Sequence, residues 1–247
     1  MAILFTGGTG LLGTAMQKVL PAALYPTRQE FNVTDIERMD EYLAFMEDEL
    51  DRIGETIDVI IHAAAFTSPP KVEGKPSQAV LVNIVGTANL MTLCEHRGIK
   101  LIYISTDYVF KGKTGFYEED DDLNPINKYA WTKLGGECAV RCYDNSLIVR
   151  TSFGENEFPY PKAFVDQMTG RITVDEFAEE LKRIVKMDVT GVLHVGHSEP
   201  RSVYEYAKAI SPDKEIGELS RHSLSTPIPE NTYLNVEKFE SLKRGKE

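Results

Sequence analysis

The chain has 247 residues, with 38 acidic against 27 basic side chains, a formal net charge of −11 and a pI near 5.0, a balance that argues against nucleic acid or anionic membrane as the partner. Hydrophobic residues make up 42% and charged residues 26%, which excludes a disordered chain and allows one main domain with a small appendage. No apolar run approaches the ~20 residues of a membrane span, and the opening MAILFTGG lacks the basic region and cleavage site of a signal peptide, so a soluble, cytoplasmic protein is expected. Cys94, Cys138 and Cys142 have no metal-like pair spacing, and they fit a reducing compartment without disulfides or zinc.

Residues 2–5 (AILF) form a short apolar run ending in Thr6-Gly7-Gly8, which reads as a buried strand. A helical period follows over 10–20, and 22–26 (AALYP) is expected to be a second strand whose extent Pro26 limits. Helical period over 35–52, a strand over 57–65 (IDVIIHAAA), a helix over 76–96, a strand over 100–105 (KLIYIS), a helix over 125–143 and a strand over 145–150 (NSLIVR) complete the alternation. Strand alternating with helix predicts an α/β, Rossmann-type doubly wound parallel sheet. Past Arg150 the pattern turns to loop rich in Gly, Pro and aromatics, so a cofactor domain over 1–150 and a small C-terminal substrate lobe over 151–247 are expected. Within the second part, Thr173 to Glu176 has the form of a capping box, GVLHVG (191–196) reads as a strand returning to the main sheet, and 202–211 and 236–243 as closing helices. The acidic run Glu118–Asp122 reads as a solvated loop.

Directly after the first strand comes Gly7-Gly8-Thr9-Gly10-Leu11-Leu12-Gly13, opening the first helix. A helix N-terminus offers unpaired N–H groups and partial positive charge, so a pyrophosphate docks there if no side chain obstructs it. Gly7 permits the tight turn, Gly10 the close approach and Gly13 the packing of helix on strand, which together point to a dinucleotide. At the end of the second strand, Thr27-Arg28 offers no carboxylate for a ribose but a guanidinium for a 2′-phosphate, favouring NADP(H) over NAD(H). If Arg28 is only a solvated surface charge, both cofactors are accepted. Asn32, Val33 and Asp35 fall near the adenine by position.

Tyr129 and Lys133, in KYAWTK, stand four apart on a predicted helix and share one face. A phenol ordinarily ionises near 10, and a neighbouring ammonium is expected to lower that. Thr106, at the end of the strand 100–105, reaches the same crevice and can hydrogen-bond a carbonyl oxygen while Tyr129 protonates it. Such a pair arises by chance in many helices; the glycine loop, which calls for a proton donor opposite the hydride, favours the chemical role.

The stretches TGGTGLLG (6–13), TRQEFNVTD (27–35), IIHAAAFT (60–67), ISTDYVFKG (104–112), NPINKYAWTKLGGE (124–137) and VRTSFGEN (149–156) resemble the extended short-chain dehydrogenase/reductases, and within them the dTDP-4-dehydrorhamnose reductase group. The resemblance implies Thr106, Tyr129 and Lys133 as the catalytic set. It implies Gly7, Gly10, Leu11, Leu12, Gly13, Thr27, Arg28, Asn32, Val33, Ala63, Ala64 and Ala65 along the cofactor, with Tyr129 and Lys133 beside its nicotinamide. Thr67, Asp107, Tyr108, Phe110 and Ser152 are then expected on the substrate side. The implied reaction is NAD(P)H-dependent reduction of a nucleotide-linked 4-keto-6-deoxysugar, in nucleotide-sugar and cell-surface polysaccharide biosynthesis.

The sequence also departs from that group. Only VDQMTGRI lies between Phe164 and the helix at 173–187, where the family has a longer segment, so a truncated or more open substrate pocket is expected. Lys111 stands where Asp is usual and Ile228 where Arg is usual, both expected on the substrate side, and Pro69-Pro70 is unusual. Two alternatives stay open: a dinucleotide-binding regulatory subunit resembling that of methionine adenosyltransferase, and a nucleotide-sugar epimerase or dehydratase. His194 and His197 have no third ligand in view, so no metal is expected. Cys138 and Cys142 are expected to be buried small apolar residues, Trp131 a packing or interface residue, and the helices at 76–96 and 125–143 a possible homodimer surface.

Overall fold

Parallel pairing brings the apolar runs side by side in the computed structural model, which describes residues 2–245. The five-stranded sheet has the order β1 (Ala2–Thr6), β2 (Ile57–His62), β3 (Lys100–Ile104), β4 (Ser146–Thr151), β9 (Gly191–Val195). All four pairings are parallel. Alternate side chains leave opposite faces of a strand, and the core divides accordingly. Phe5, Ile61, Ile102, Val149 and Leu193 meet α1 (Leu11–Val19), α7 (Val174–Val185) and α9 (Glu237–Arg244) on one face. Leu4, Ile60, Leu101, Tyr103 and Ile148 meet α2 (Ile36–Asp51), α5 (Gly86–Arg97) and α6 (Lys128–Val140) on the other. Coverage of both faces is why the strands read as continuous apolar runs.

Local signals account for the helix boundaries. Asp35 and Asn127 cap α2 and α6 by accepting from Arg38 N and Ala130 N. Thr173 and Glu176 form the reciprocal capping box of α7. Gly98, left-handed at φ 69°, ends α5. Between α3 (Pro69–Gly74), α4 (Pro76–Val80) and α5 the chain is nearly continuous helix, with a π-helical turn at Leu81–Val85.

The segment after β4 contributes short pieces: β5 (Phe153–Gly154) pairs with β8 (Ile172–Thr173), β6 (Lys162–Phe164) with β11 (Gly217–Leu219), and β7 (Met168–Thr169) with β10 (Arg201–Ser202). With α8 (Val203–Ile210) they close a small core of Phe158, Ala163, Tyr206 and Ile216.

Several expectations are corrected. Residues 22–26 make only a bridge from Leu24 to Leu4 at the sheet edge; Pro26 removes one donor from so short a segment, and Pro21 another just before it. β2 stops at His62, and Ala63 to Ala65 form loop instead of strand. Pro76–Arg97 is, by length and composition, apolar enough to cross a membrane; its apolar residues serve packing, since Leu90, Leu93 and Cys94 lie in the core. Cys138 on α6 and Cys142 just past its end are exposed, and only Cys94 of the three is buried. The acidic run is not wholly solvated: Glu119 accepts from His194 N at 3.1 Å and, through its carbonyl, from Arg150 Nη1 at 3.0 Å. Lys246 and Glu247, the end of the expected lobe, lie outside the described residues.

Candidate active site

The β1–α1 loop is shaped by its glycines. Gly7 takes φ +83°, and a Cβ there would stand 2.9 Å from Ala64 N. At Gly13 a Cβ would collide with the backbone of Gly7 and Gly8, so only hydrogen lets α1 pack this close. Gly10, the N-cap of α1, has no side chain to cover the helix end. A cavity of about 260 Å³ lies against this loop, lined by Gly7, Gly10, Arg28, Asn32, Val33 and Ala63 to Ala65 among others. A second, of about 390 Å³, shares Gly7, Gly10, Ala63 and Ala65 with it and adds Leu11, Leu12 and Gly13. An unobstructed helix N-terminus opening onto two adjoining cavities suits a dinucleotide with its pyrophosphate at Gly10. Thr27 departs from expectation: its N–H and hydroxyl both donate to Glu30 Oε2 at 2.8 Å, and it lines neither cavity. The T-x-x-E spacing of a capping turn, which foreshadows this, brings a carboxylate to the end of the segment beside Arg28.

Thr106, Tyr129 and Lys133 all line the larger cavity. β3 delivers Thr106 at its carboxyl end, and α6 presents Tyr129 and Lys133 from one face. Thr106 Oγ1 donates to Asp107 Oδ1 at 3.2 Å and accepts from Tyr108 N at 3.3 Å. Asp107 is buried and takes a further hydroxyl, from Thr232, on Oδ2. Burial pushes its carboxyl up to about 6, against the pull of Thr232 and Arg171.

Lys133 corrects the expected pairing. Its ammonium turns under the sheet end, donating to Ile104 O at 2.8 Å and lying 4.1 Å from the centroid of the Tyr103 ring. Burial brings it down to about 7, with the Glu137 carboxylate opposing. The Tyr129 phenol is raised by burial rather than lowered, and Thr106 works in the other direction. Beneath them His62 is held between the Thr6 and Thr87 hydroxyls at 2.8 and 3.0 Å. Burial and the Lys133 charge lower it to about 3, so it stays neutral. Glu137, one turn beyond Lys133, accepts from Ser105 Oγ and from Arg150 Nη2 at 2.9 Å, both charged groups fully buried.

Thr67, Asp107, Tyr108 and Ser152 also line the larger cavity. Phe110 does not: it is fully buried, stacked on Tyr117 at 4.3 Å between ring centroids, and packs the core with Val109 and Leu234. Lys111 and Ile228 likewise lie off the cavity wall, the first exposed and the second buried. Sequence reasoning missed Ser68, whose φ of 76° strains the cavity rim, and Arg171, which no spacing announces. Glu137 was foreshadowed by an acid one turn past Lys133 on the same face.

Fold and site together define a protein of the Rossmann-type, dinucleotide-binding class. The family model for the RmlD substrate binding domain matches residues 1–178, and the chain belongs to that family. The dTDP-4-keto-6-deoxy-D-glucose reductase of Streptomyces niveus is 30% identical over 83% of this chain and 76% of its own length. Methionine adenosyltransferase 2 subunit beta of Xenopus laevis is 28% identical over 98% of this chain and 82% of its own. The "Probable low-salt glycan biosynthesis reductase Agl14" of Haloferax volcanii is 38% identical over 60% of this chain, a match spanning about half that relative (52%). Among solved structures, a hypothetical dTDP-4-dehydrorhamnose reductase from Sulfolobus tokodaii superposes with a TM-score of 0.82 at 25% identity, covering 98% of this chain and 94% of that one. The fold is shared with the Bacillus anthracis dTDP-4-dehydrorhamnose reductase solved with NADP, at TM-score 0.84 and 22% identity over 97% and 91% of the two chains.

Proposed function

We propose that the protein is an NAD(P)H-dependent reductase of a nucleotide-linked 4-keto-6-deoxysugar, acting in nucleotide-sugar biosynthesis. The observation that carries this reading is the meeting of Thr106, Tyr129 and Lys133 at one cavity that adjoins the glycine cradle. A reduced nicotinamide dinucleotide, when bound, supplies the hydride for the keto carbon. Tyr129 gives its phenolic proton to the carbonyl oxygen, which closes the charge balance of the reduction. Thr106 steadies that oxygen by turning its hydroxyl from Asp107 toward it. Lys133, buried and brought down to about 7, donates to the Ile104 carbonyl and shares the cavity wall with Tyr129, where its charge when protonated favours the phenolate left after proton transfer.

Arg28 at the outer cavity supports NADP(H) over NAD(H). The short strands β5 to β8, β10 and β11 with α8 serve as the substrate lobe around Ser152, while α7, β9 and α9 stay with the main sheet. Val80, Leu81 and Val85 together with Trp131, 54% exposed, offer a homodimer face on adjacent helices. The decisive experiment follows NADPH and NADH oxidation with dTDP-4-dehydrorhamnose, for wild type and Tyr129→Phe. Rapid oxidation by the wild type, reduced about 100-fold or more in the variant, is expected. Tight cofactor binding without reduction of any nucleotide-linked ketosugar would instead favour the second reading, a dinucleotide-holding regulatory subunit, for which the near full-length match to the methionine adenosyltransferase beta subunit speaks.

A further inference from the structure

Lys133 is not the only cation on the wall of the larger cavity; Arg171 is there as well. It sits between β7 and β8, half-buried, where its backbone is pinned on both sides: Ile172 N donates to Ser152 O at 3.1 Å, and Arg201 Nη2 donates to Arg171 O at 3.0 Å. Its Nε donates to Ser152 Oγ at 3.2 Å. Among the described residues its Nη nitrogens have no hydrogen-bond acceptor and its guanidinium no carboxylate within ion-pair distance. The acid that faces it, Asp107, already receives the Thr106 and Thr232 hydroxyls. On the same wall Thr151 Oγ1 is buried with no hydrogen-bond partner, on a residue only 2% exposed. In a chain with net charge −11, a guanidinium that feels the Asp107 carboxylate but keeps its outer N–H groups unpaired, beside an orphaned buried hydroxyl, leaves donors waiting for an oxygen-rich anion. The cofactor's pyrophosphate seat is at the glycine loop, and Arg171 does not line the outer cavity with Arg28.

We propose that Arg171, with the hydroxyls of Ser152 and Thr151, is an anion-recognising wall of the catalytic cavity that takes a phosphate oxygen of the substrate's nucleotide. The inference rests on the reading of this cavity as a ketosugar reductase site. A guanidinium presents two parallel N–H groups to such an anion, which a lysine does not. The anchor on Ser152 fixes that fork beside Tyr108 and Tyr129, so the anion bound there orients the substrate toward the proton donor.

The test titrates dTDP and, separately, glucuronate into NADPH-loaded wild type, Arg171→Ala and Arg171→Lys by calorimetry, with NADPH titrations of each chain as the check on folding. Loss of about 10- to 100-fold in dTDP affinity in Arg171→Ala, partly restored in Arg171→Lys, is expected for a phosphate. The same loss for glucuronate alone, with dTDP affinity unchanged, overturns the assignment to a phosphate. In turnover with dTDP-4-dehydrorhamnose, a phosphate contact raises KM by that factor and leaves kcat within about threefold. Wild type that binds neither probe, or Arg171→Ala that binds both as wild type does, overturns the proposal. So does an Arg171→Ala chain that loses NADPH equally, because Arg171 is then structural. Wild type that binds dTDP through Arg171 yet reduces no ketosugar overturns the reductase reading and leaves this one standing.

Discussion

Replacing Glu137 by Gln removes the only carboxylate among the described residues that pairs with Arg150, a cation with 0% side-chain exposure. In the variant Arg150 keeps the Glu119 carbonyl at 3.0 Å and His194 Nε2 at 3.4 Å. Neither supplies charge, because burial and Arg150 itself hold His194 down to about 3. A buried ion stripped of its partner typically costs about 3–5 kcal/mol, and a chain of this size loses about 2–4 °C of melting temperature per kcal/mol. The expected fall is therefore ~6–20 °C, measured by thermal and urea unfolding at pH 7. The double variant Glu137→Leu with Arg150→Met, which removes both charges, should recover most of that loss. A single variant within about 1 kcal/mol of wild type, or a double variant as unstable as the two singles summed, would refute the reasoning. The same substitution withdraws the charge that supports protonated Lys133, so its titration should move further below about 7.

Gly13→Ala should lower NADPH affinity and cost about 1–3 kcal/mol of stability, because the new methyl meets the backbone of Gly7 and Gly8; equilibrium dialysis and urea unfolding read the two effects. Asp107 is raised in the folded protein from 3.8 to about 6, so the folded state holds more protons across that interval. Its contribution to stability is present below 3.8 and lost as the pH rises through about 6, and Asp107→Asn should flatten the unfolding profile there. Arg28→Ala should reduce the preference for NADPH over NADH by about tenfold in paired Kd measurements; an unchanged ratio would mean that Arg28 is only a surface charge.

Periodicity revealed most of the fold because each strand of the five-stranded sheet is covered on both faces and helices such as α7 carry one apolar stripe. Residues 22–26 misled because short apolar composition does not reveal how little pairing a segment bounded by Pro21 and Pro26 can make. Cys138 misled because its burial depends on which side of α6 meets the sheet, and Cys142 because α6 ends at Val140 before reaching it. The YxxxK spacing placed Tyr129 and Lys133 on one face but not the direction of the ammonium, which the Ile104 carbonyl decides. Phe110 followed its neighbours Asp107 and Tyr108 in sequence, yet the short 3₁₀ turn Asp107–Val109 rotates it into the core. Arg171 was illegible because the contact that defines it, with Ser152, joins residues 19 apart through the pairing of two-residue strands.

The last strand of the sheet reaches its place late in the chain. All six residues of β4 are buried, and Leu147 to Thr151 find their parallel partners only in β9. The ribosome must add residues 152–190 before that partner begins to appear, about 2–8 s at ordinary elongation rates. Until then β4 is an apolar strand with one open edge, the kind of surface on which chains pair with one another. A fragment cut at residue 150 would keep that edge permanently, so the nucleotide-binding half is expected to aggregate when made alone, although the glycine cradle, Thr106, Tyr129 and Lys133 all lie within it.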